Sequence, residues 1–472
     1  MATMSVTRRR CNYYNKRRDN RSSNRKAYIC DMTQGNEIAL LLRFAFPMLI
    51  GNIFQQFYNM VDSIVVGRYV GGDALGAVGS VGSISFLFFS LCMGLGNGIG
   101  ILVSQYFGAK DEEKVKAVIA NAIYITLFTG IMVSIVGVVL SRPILKLMQT
   151  PDGNFSYALT YMRIVCGATV VVAIYNTVSA ILRALGDSKT PLIFLVVASV
   201  INIALDLLFV LVFDMKVSGV ALATIIAQAV SAIGSVLFGI RKNEYLRLNV
   251  KDFAVQWDII KKSIKIGIPL SAQSSLIALS CVVLQGVVNH YGETVMATFT
   301  ATNRVEQIVH QPFNSLGTAL STFAGQNMGA KKQDRIIKGC KKSLWIVLGI
   351  SAAMIIVMYA FGEPIMRIFI DDPEIIALGA KGLRITSLMY LFLGLIYTMR
   401  GLLNGVGDVS FSMMNGVCEV VGRVGFAILL LAIPAIGIWG VWYTNGFTWL
   451  LTGLMSTVRF CRGKWKTKSV VS

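Results

Sequence analysis

The chain has 472 residues, 55% hydrophobic and 14% charged, against about 45–50% and 25% in ordinary soluble domains. That balance excludes a soluble globular protein, and the absence of a phosphate-cradling Gly-x-x-x-x-Gly-Lys-Ser/Thr loop argues against nucleotide hydrolysis. The net charge of +20 would suit nucleic acid, but 34 of the 44 lysines and arginines lie in the first tail, in alternate loops, at the foot of the first span and in the last tail, so the charge reports membrane topology and its expected partner is anionic lipid.

Residues 1–36 hold nine Lys/Arg and no apolar core of signal-peptide length. They read as a disordered basic cytoplasmic tail. Twelve apolar runs long enough to cross a bilayer follow, at about 39–66, 77–103, 117–140, 157–182, 190–213, 217–240, 264–289, 295–322, 343–361, 377–403, 409–432 and 436–458. The longest connector divides them, giving an N-terminal six-helix lobe (37–240), a cytoplasmic linker (241–262), a C-terminal six-helix lobe (263–460) and a basic cytoplasmic tail (461–472). The fold class is all-α integral membrane, with both termini in the cytoplasm.

Shifting the sequence on itself by about 221 positions aligns the halves. Gln105 and Gly108-Ala109-Lys110 fall on Gln326 and Gly329-Ala330-Lys331, Gly186-Asp187 on Gly407-Asp408, and Gly219-Val220 on Gly440-Val441; Pro47 and Pro269 stand 222 apart. Six helices per half make this a parallel repeat about an axis along the membrane normal, with a pathway expected where the lobes meet. The run Gly94-Leu95-Gly96-Asn97-Gly98-Ile99-Gly100 sits in an apolar span and reads as close helix packing rather than a dinucleotide loop. Eight scattered cysteines (Cys11, Cys30, Cys92, Cys166, Cys281, Cys340, Cys418, Cys461) and two histidines support neither a disulfide framework nor a zinc site.

Ionisable residues inside spans are costly and therefore functional candidates. In the first half these are Asp62 and Asp206, with no cation at comparable depth in their spans. At about 1.5 Å per residue they lie roughly 9 Å and 12 Å inside the outer helix ends, on one level. Asn202 is one turn before Asp206, and Thr224 returns to that level on the sixth helix, as do Tyr58 and Asn59 on the first. Carboxylates, an amide oxygen and a hydroxyl are able to hold a proton or a small alkali cation; the competing reading is two protonated acids satisfied by packing hydrogen bonds. In the second half, Arg304, Glu306, Glu419 and Arg423 balance in charge and read as a structural network, with His310 as a polar packing residue. Aromatic and thioether residues on these helices, Tyr58 and Tyr175 among them, suit flat apolar cations.

The runs Gln55-Gln56-Phe57-Tyr58-Asn59-Met60-Val61-Asp62-Ser63-Ile64-Val65-Val66-Gly67-Arg68, Gln105-Tyr106-Phe107-Gly108-Ala109-Lys110 and Leu182-Arg183-Ala184-Leu185-Gly186-Asp187-Ser188-Lys189-Thr190-Pro191 resemble the multidrug and toxic compound extrusion (MATE) family, over about residues 31 to 460. The resemblance implies a secondary antiporter that expels amphipathic, mostly cationic organic compounds in exchange for H+ or Na+ by alternating access of its two lobes. In the DinF-like branch it implies a coupling-ion site at Asp62, Asn202, Asp206 and Thr224 and a hinge at Pro47; Gln55, Tyr58, Asn59 and Tyr175 are assigned to the substrate cavity. The NorM-like branch adds carboxylates on the seventh and tenth helices, where this sequence has Gln273 and Gln285 and no acid within 385–403. The tail before Asp31 has no counterpart in the family pattern. The expectation is a monomeric inner or plasma membrane protein that is not an enzyme, with drug-like small molecules and membrane lipids as partners, no nucleic acid, and neither cofactor nor resident metal beyond the coupling ion. The rival reading is a lipid-linked saccharide flippase of the same superfamily, which needs a strongly basic central cavity; within the spans only Arg304 and Arg423 were expected to supply it.

Overall fold

The computed structural model describes residues 30–148 and 150–471. Residues 1–29, with Cys11 and most of the expected disordered tail, lie outside the described residues. The described chain forms fourteen α-helices and no strand: α1 (Glu37–Val65), α2 (Gly72–Gly108), α3 (Glu112–Leu147), α4 (Asp152–Gly167), α5 (Thr169–Ala184), α6 (Lys189–Leu207), α7 (Lys216–Lys242), α8 (Trp257–Asn289), α9 (Glu293–Gly329), α10 (Gln333–Arg367), α11 (Pro373–Ser387), α12 (Tyr390–Gly405), α13 (Val409–Leu431) and α14 (Gly440–Cys461). Helices α4 and α5 join at a 47° bend and α11 and α12 at 51°. Counting each pair as one rod gives twelve, six in each half.

Eight rods are long and apolar enough to cross a membrane, ten if each bent pair is one span. The other two, α9 and α14, carry much of the second lobe's polar content. On α14 the hydroxyls of Thr444, Thr448, Thr452 and Ser456 each donate to the carbonyl four residues earlier, at 2.7 to 2.9 Å, and all four are buried. A helix whose polar groups are satisfied this way can sit inside a bundle without an apolar composition.

The lobes meet along α2 and α8. Gly94 faces the Ser271 backbone, a Cβ on Gly98 would stand 2.7 Å from the Gly267 nitrogen, and the Ser90 and Ser275 hydroxyls bond at 2.6 Å. The glycine run is a packing seam, as its span position implied. Further along, the helices diverge, and no described atom of another helix lies within 4 Å of a Cβ built on Gly79, Gly82 or Gly286.

On the face that carries both described chain ends the lobes are closed by a pseudo-symmetric pair of bonds. Gln105 Nε2 donates to the Gly405 carbonyl at 3.0 Å, and Gln326 Nε2 to the Ala184 carbonyl at 2.9 Å. Each glutamine oxygen accepts from a chain end: Gln326 Oε1 from Met32 N and Gln105 Oε1 from Val470 N, both at 2.8 Å. Beneath them Gly186 (φ +87°) packs against Cys30 and Gly407 (φ +92°) against Lys468, in a backbone conformation open mainly to glycine. Arg335 and Lys342 of the second lobe reach Glu37 at 3.2 and 2.7 Å.

One expectation is corrected here. Within residues 30–36, assigned to a disordered tail, Met32 and Thr33 are buried. They hold through main-chain groups, so composition gave no sign of it. The linker, expected over 241–262, lies on α3, where Tyr124 Oη donates to the Phe253 carbonyl at 2.8 Å and Asn121 bonds both Ala254 and Gln256, and α8 already begins at Trp257.

Candidate functional site

The first-lobe acids stand where α1 and α6 each pass into a π-helical turn, Val66–Val70 and Leu208–Val212. These turns close through Gly71 N to Val66 O at 3.0 Å and Phe213 N to Leu208 O at 3.2 Å. Such turns interrupt regular hydrogen bonding and recur at functional sites. Val65, Val66, Val210, Val217 and Val220 pack the two ends together against α7. The result brings Asp62 and Asp206 side by side, with Asp206 fully buried and Asp62 partly so.

Among the described residues no donor reaches Asp62 Oδ1, either oxygen of Asp206, or Asn202 Oδ1. The contact between two carboxyls becomes a hydrogen bond only when one of them carries a proton. Asn202 Nδ2 donates to Thr224 Oγ1 at 3.4 Å, and that hydroxyl to the Val220 carbonyl at 3.1 Å. Beside them lies a cavity of about 30 Å³ whose lining includes Gln55, Tyr58, Tyr175, Asn202, Thr224 and Gln228, enough room for a water. Of the four residues expected to bind the coupling ion, the structure pairs Asp62 with Asp206 and Asn202 with Thr224, Asn202 standing one turn before Asp206 on α6. Tyr161 of α4, which no spacing singled out, packs against the valine cluster at the ends of these helices. Pro47 is buried within α1, which runs through it unbroken.

The expected substrate residues divide. Gln55, Tyr58 and Tyr175 line the small first-lobe cavity, while Asn59 is exposed and its carbonyl accepts from Ser63 Oγ at 2.9 Å. None of the four lines the larger cavity of about 550 Å³ between the lobes. That cavity is walled by α2, α5, α8, α9, α12, α13 and α14, with Arg183, Arg400, Arg423 and Glu419 as its charged lining.

The second-lobe network differs from the expected one. Glu419 is held between two arginines, at 2.6 Å from Arg400 Nη2 and 3.2 Å from Arg423 Nη2. Arg400 also donates to Asn415 Oδ1 at 3.1 Å, and Arg423 to Ser280 and Cys281. Arg304 is exposed and has no ion pair among the described residues. Positions two apart on a helix point to different sides, so Arg304 and Glu306 could not share a face. Glu306 is buried, and its Oε1 has no hydrogen-bond partner among the described residues. His310 packs edge-on to Tyr397 and Trp449, at ring separations of 6.0 and 5.6 Å.

Arg183 and Arg400, counted from sequence with the loop cations, both line the cavity. Helices α5 and α12 run on to Ala184 and Gly405, beyond the ends assigned from hydropathy. A signal for Arg400 existed, since it falls inside the apolar run 377–403.

The MatE family model matches residues 47–208 and 269–429, once in each lobe. The chain belongs to the MatE family. Among the relatives of this MatE protein, Probable multidrug resistance protein YpnP of Bacillus subtilis is 32% identical over 444 residues, covering 93% of this chain and 98% of that one. Probable multidrug resistance protein NorM of Thermotoga maritima is 24% identical over 441 residues, 92% and 94% of the two chains. A solved MOP superfamily transporter from Pyrococcus furiosus has the same fold, with a TM-score of 0.87 at 22% identity over 94% of this chain and 99% of that one. The family is one of transporters, its relatives here carry multidrug resistance names, and this member has eight to ten helical rods long and apolar enough to cross a membrane.

Proposed function

We propose that this MatE protein is a secondary antiporter of the cell membrane that exports amphipathic organic compounds in exchange for H+ or Na+, with Asp62 and Asp206 as the coupling pair. One observation carries the reading. The internal repeat places Leu284 and Ala427 at the second-lobe positions of Asp62 and Asp206, and both are buried in a hydrophobic cluster with Val288, Val295 and Phe299. The fold thus packs that spot without carboxyls, and their presence in the first lobe calls for a reason other than packing.

Two carboxylates without a counter-charge repel each other in a medium of low dielectric, and a proton shared between them removes the repulsion and supplies the missing donor. An alkali cation would instead use both carboxylates with Asn202 Oδ1 and the Thr224 hydroxyl, all hard oxygen ligands. Either ion changes which packing of α1 against α6 is preferred, with Pro47, which has no N–H to anchor its turn, as the hinge. With both termini in the cytoplasm, the closed face is the inner one and the acids lie toward the outside, where the ion enters. Organic cations, the class implied by family resemblance, meet aromatic faces at Tyr397 and Trp449 but also three arginines against one carboxylate.

The test is transport in proteoliposomes under an imposed proton or sodium gradient. Asp206→Asn and Asp62→Asn keep size and remove titration; each is expected to fold, retain substrate binding and lose gradient-driven export down to background. Wild-type pumping by both variants would refute the assignment.

A further inference from the structure

The cavity between the lobes carries an excess of positive charge. Its lining holds Arg183, Arg400 and Arg423 against the single carboxylate of Glu419, which both Arg400 and Arg423 already share. Arg183 has no ion pair among the described residues, and the Nε–H groups of Arg400 and Arg423 are buried without an acceptor. Guanidinium groups withdrawn from water without acceptors are costly to maintain. Their fork of N–H donors matches a carboxylate or phosphate, which would accept two hydrogen bonds at once. Beside these cations the lining mixes apolar side chains, Leu270, Ile277, Leu393, Ile396 and Trp449, with neutral polar ones such as Asn97, Gln273 and Asn314. A volume of about 550 Å³ falls in the range of drug-sized ligands, about 300–1,000 Å³.

We infer that the central cavity takes drug-sized amphipathic acids, holding a carboxylate or phosphate head on Arg183 and the arginines beside Glu419, with the apolar body against Trp449 and its neighbours. This deepens the antiport reading by naming the substrate class of the same protein. It assigns the charges by site, the coupling ion to the acids of the first lobe and the substrate to the arginines around the central cavity. Substrate and ion then act on separate atoms.

Four probes with one fluorophore test it: dansylglycine, dansyl-phosphoethanolamine, dansylglycine methyl ester and a dansyl amide bearing a trimethylammonium group. Binding to the purified full-length protein is read by energy transfer from tryptophan, Trp449 lining the cavity itself. Both acids are expected to bind roughly tenfold or more tightly than the ester or the cation, the size of one charge-assisted hydrogen bond. The tighter of the two identifies the head group. Arg183→Gln should reduce the acid preference and leave ester affinity unchanged, while Arg183→Lys retains part of it. Equal affinity for acid and ester, tighter binding of the cation, or an undiminished preference in Arg183→Gln would overturn the inference. If Arg183→Gln does not fold, the wild-type acid-to-ester ratio decides alone. Gradient-driven transport of the same probes is measured separately: its absence with the binding preference intact removes the antiport reading and leaves this one standing.

Discussion

Glu419 illustrates how one residue can hold a site together. Buried between Arg400 and Arg423, it is the only acid lining the central cavity among the described residues. Glu419→Ala would leave two cations without their carboxylate, and the cost of breaking such a buried network is about 3–5 kcal/mol. Thermal unfolding in detergent is expected to show a large drop for Glu419→Ala and a change within about 0.5 kcal/mol for Arg304→Ala, whose side chain is exposed. Equal effects would mean that the triad is not the stabilising unit. At this scale the sequence was most legible where charge was unbalanced: Asp62 and Asp206 stood out because nothing at their depth could neutralise them. It was least legible where a helix outran its apolar pattern, as at Arg183 and Arg400, or where one aromatic residue among many, Tyr161, is brought in by tertiary packing.

Between helices, the closest approaches are made by glycine. α2 and α9 cross where a Cβ on Gly108 would overlap the Gln326 carbonyl and one on Gly329 the Gln105 carbonyl, while Gly98 meets Gly267 of α8. Gly98→Val is expected to cost about 1–3 kcal/mol through overpacking and to lower folded yield. Gly79→Ala, on the same helix where nothing stands within 4 Å, should be neutral or stabilising by up to about 1 kcal/mol, because alanine favours helix. Monodispersity and unfolding temperature in detergent separate the two, and identical behaviour would show that the seam has slack. The spacing of small residues made this seam readable in advance. The π-helical turns were not, since an added residue in a turn leaves no trace in the periodicity of Val66–Val70 or Leu208–Val212.

For the whole molecule, the repeat was legible because matched motifs recur at a fixed offset, and the structure gives that offset a mechanical meaning. Gln105 and Gln326 align across the repeat, bond the opposite lobe, and each receive one chain end. Opening that face requires both straps to release. Gln105→Ala combined with Gln326→Ala is therefore expected to raise labelling of a cysteine placed at Asn404, on the cavity wall, by an impermeant maleimide supplied from the terminus-bearing side. Unchanged labelling would show that the straps do not contribute to closure.

The strap at the C-terminal end also bears on how the protein is handled. Val470 docks through its own N–H, close to the last described residue, and Trp465 just before it is buried. An affinity handle or fluorescent fusion attached there emerges beside the lock, so its bulk can pull on the docked segment and tilt the resting balance between open and closed forms. Rates compared between differently tagged preparations would then differ for reasons unrelated to the transported molecule, whereas a handle inserted in the folded linker near Val250, which is exposed, leaves both locks untouched.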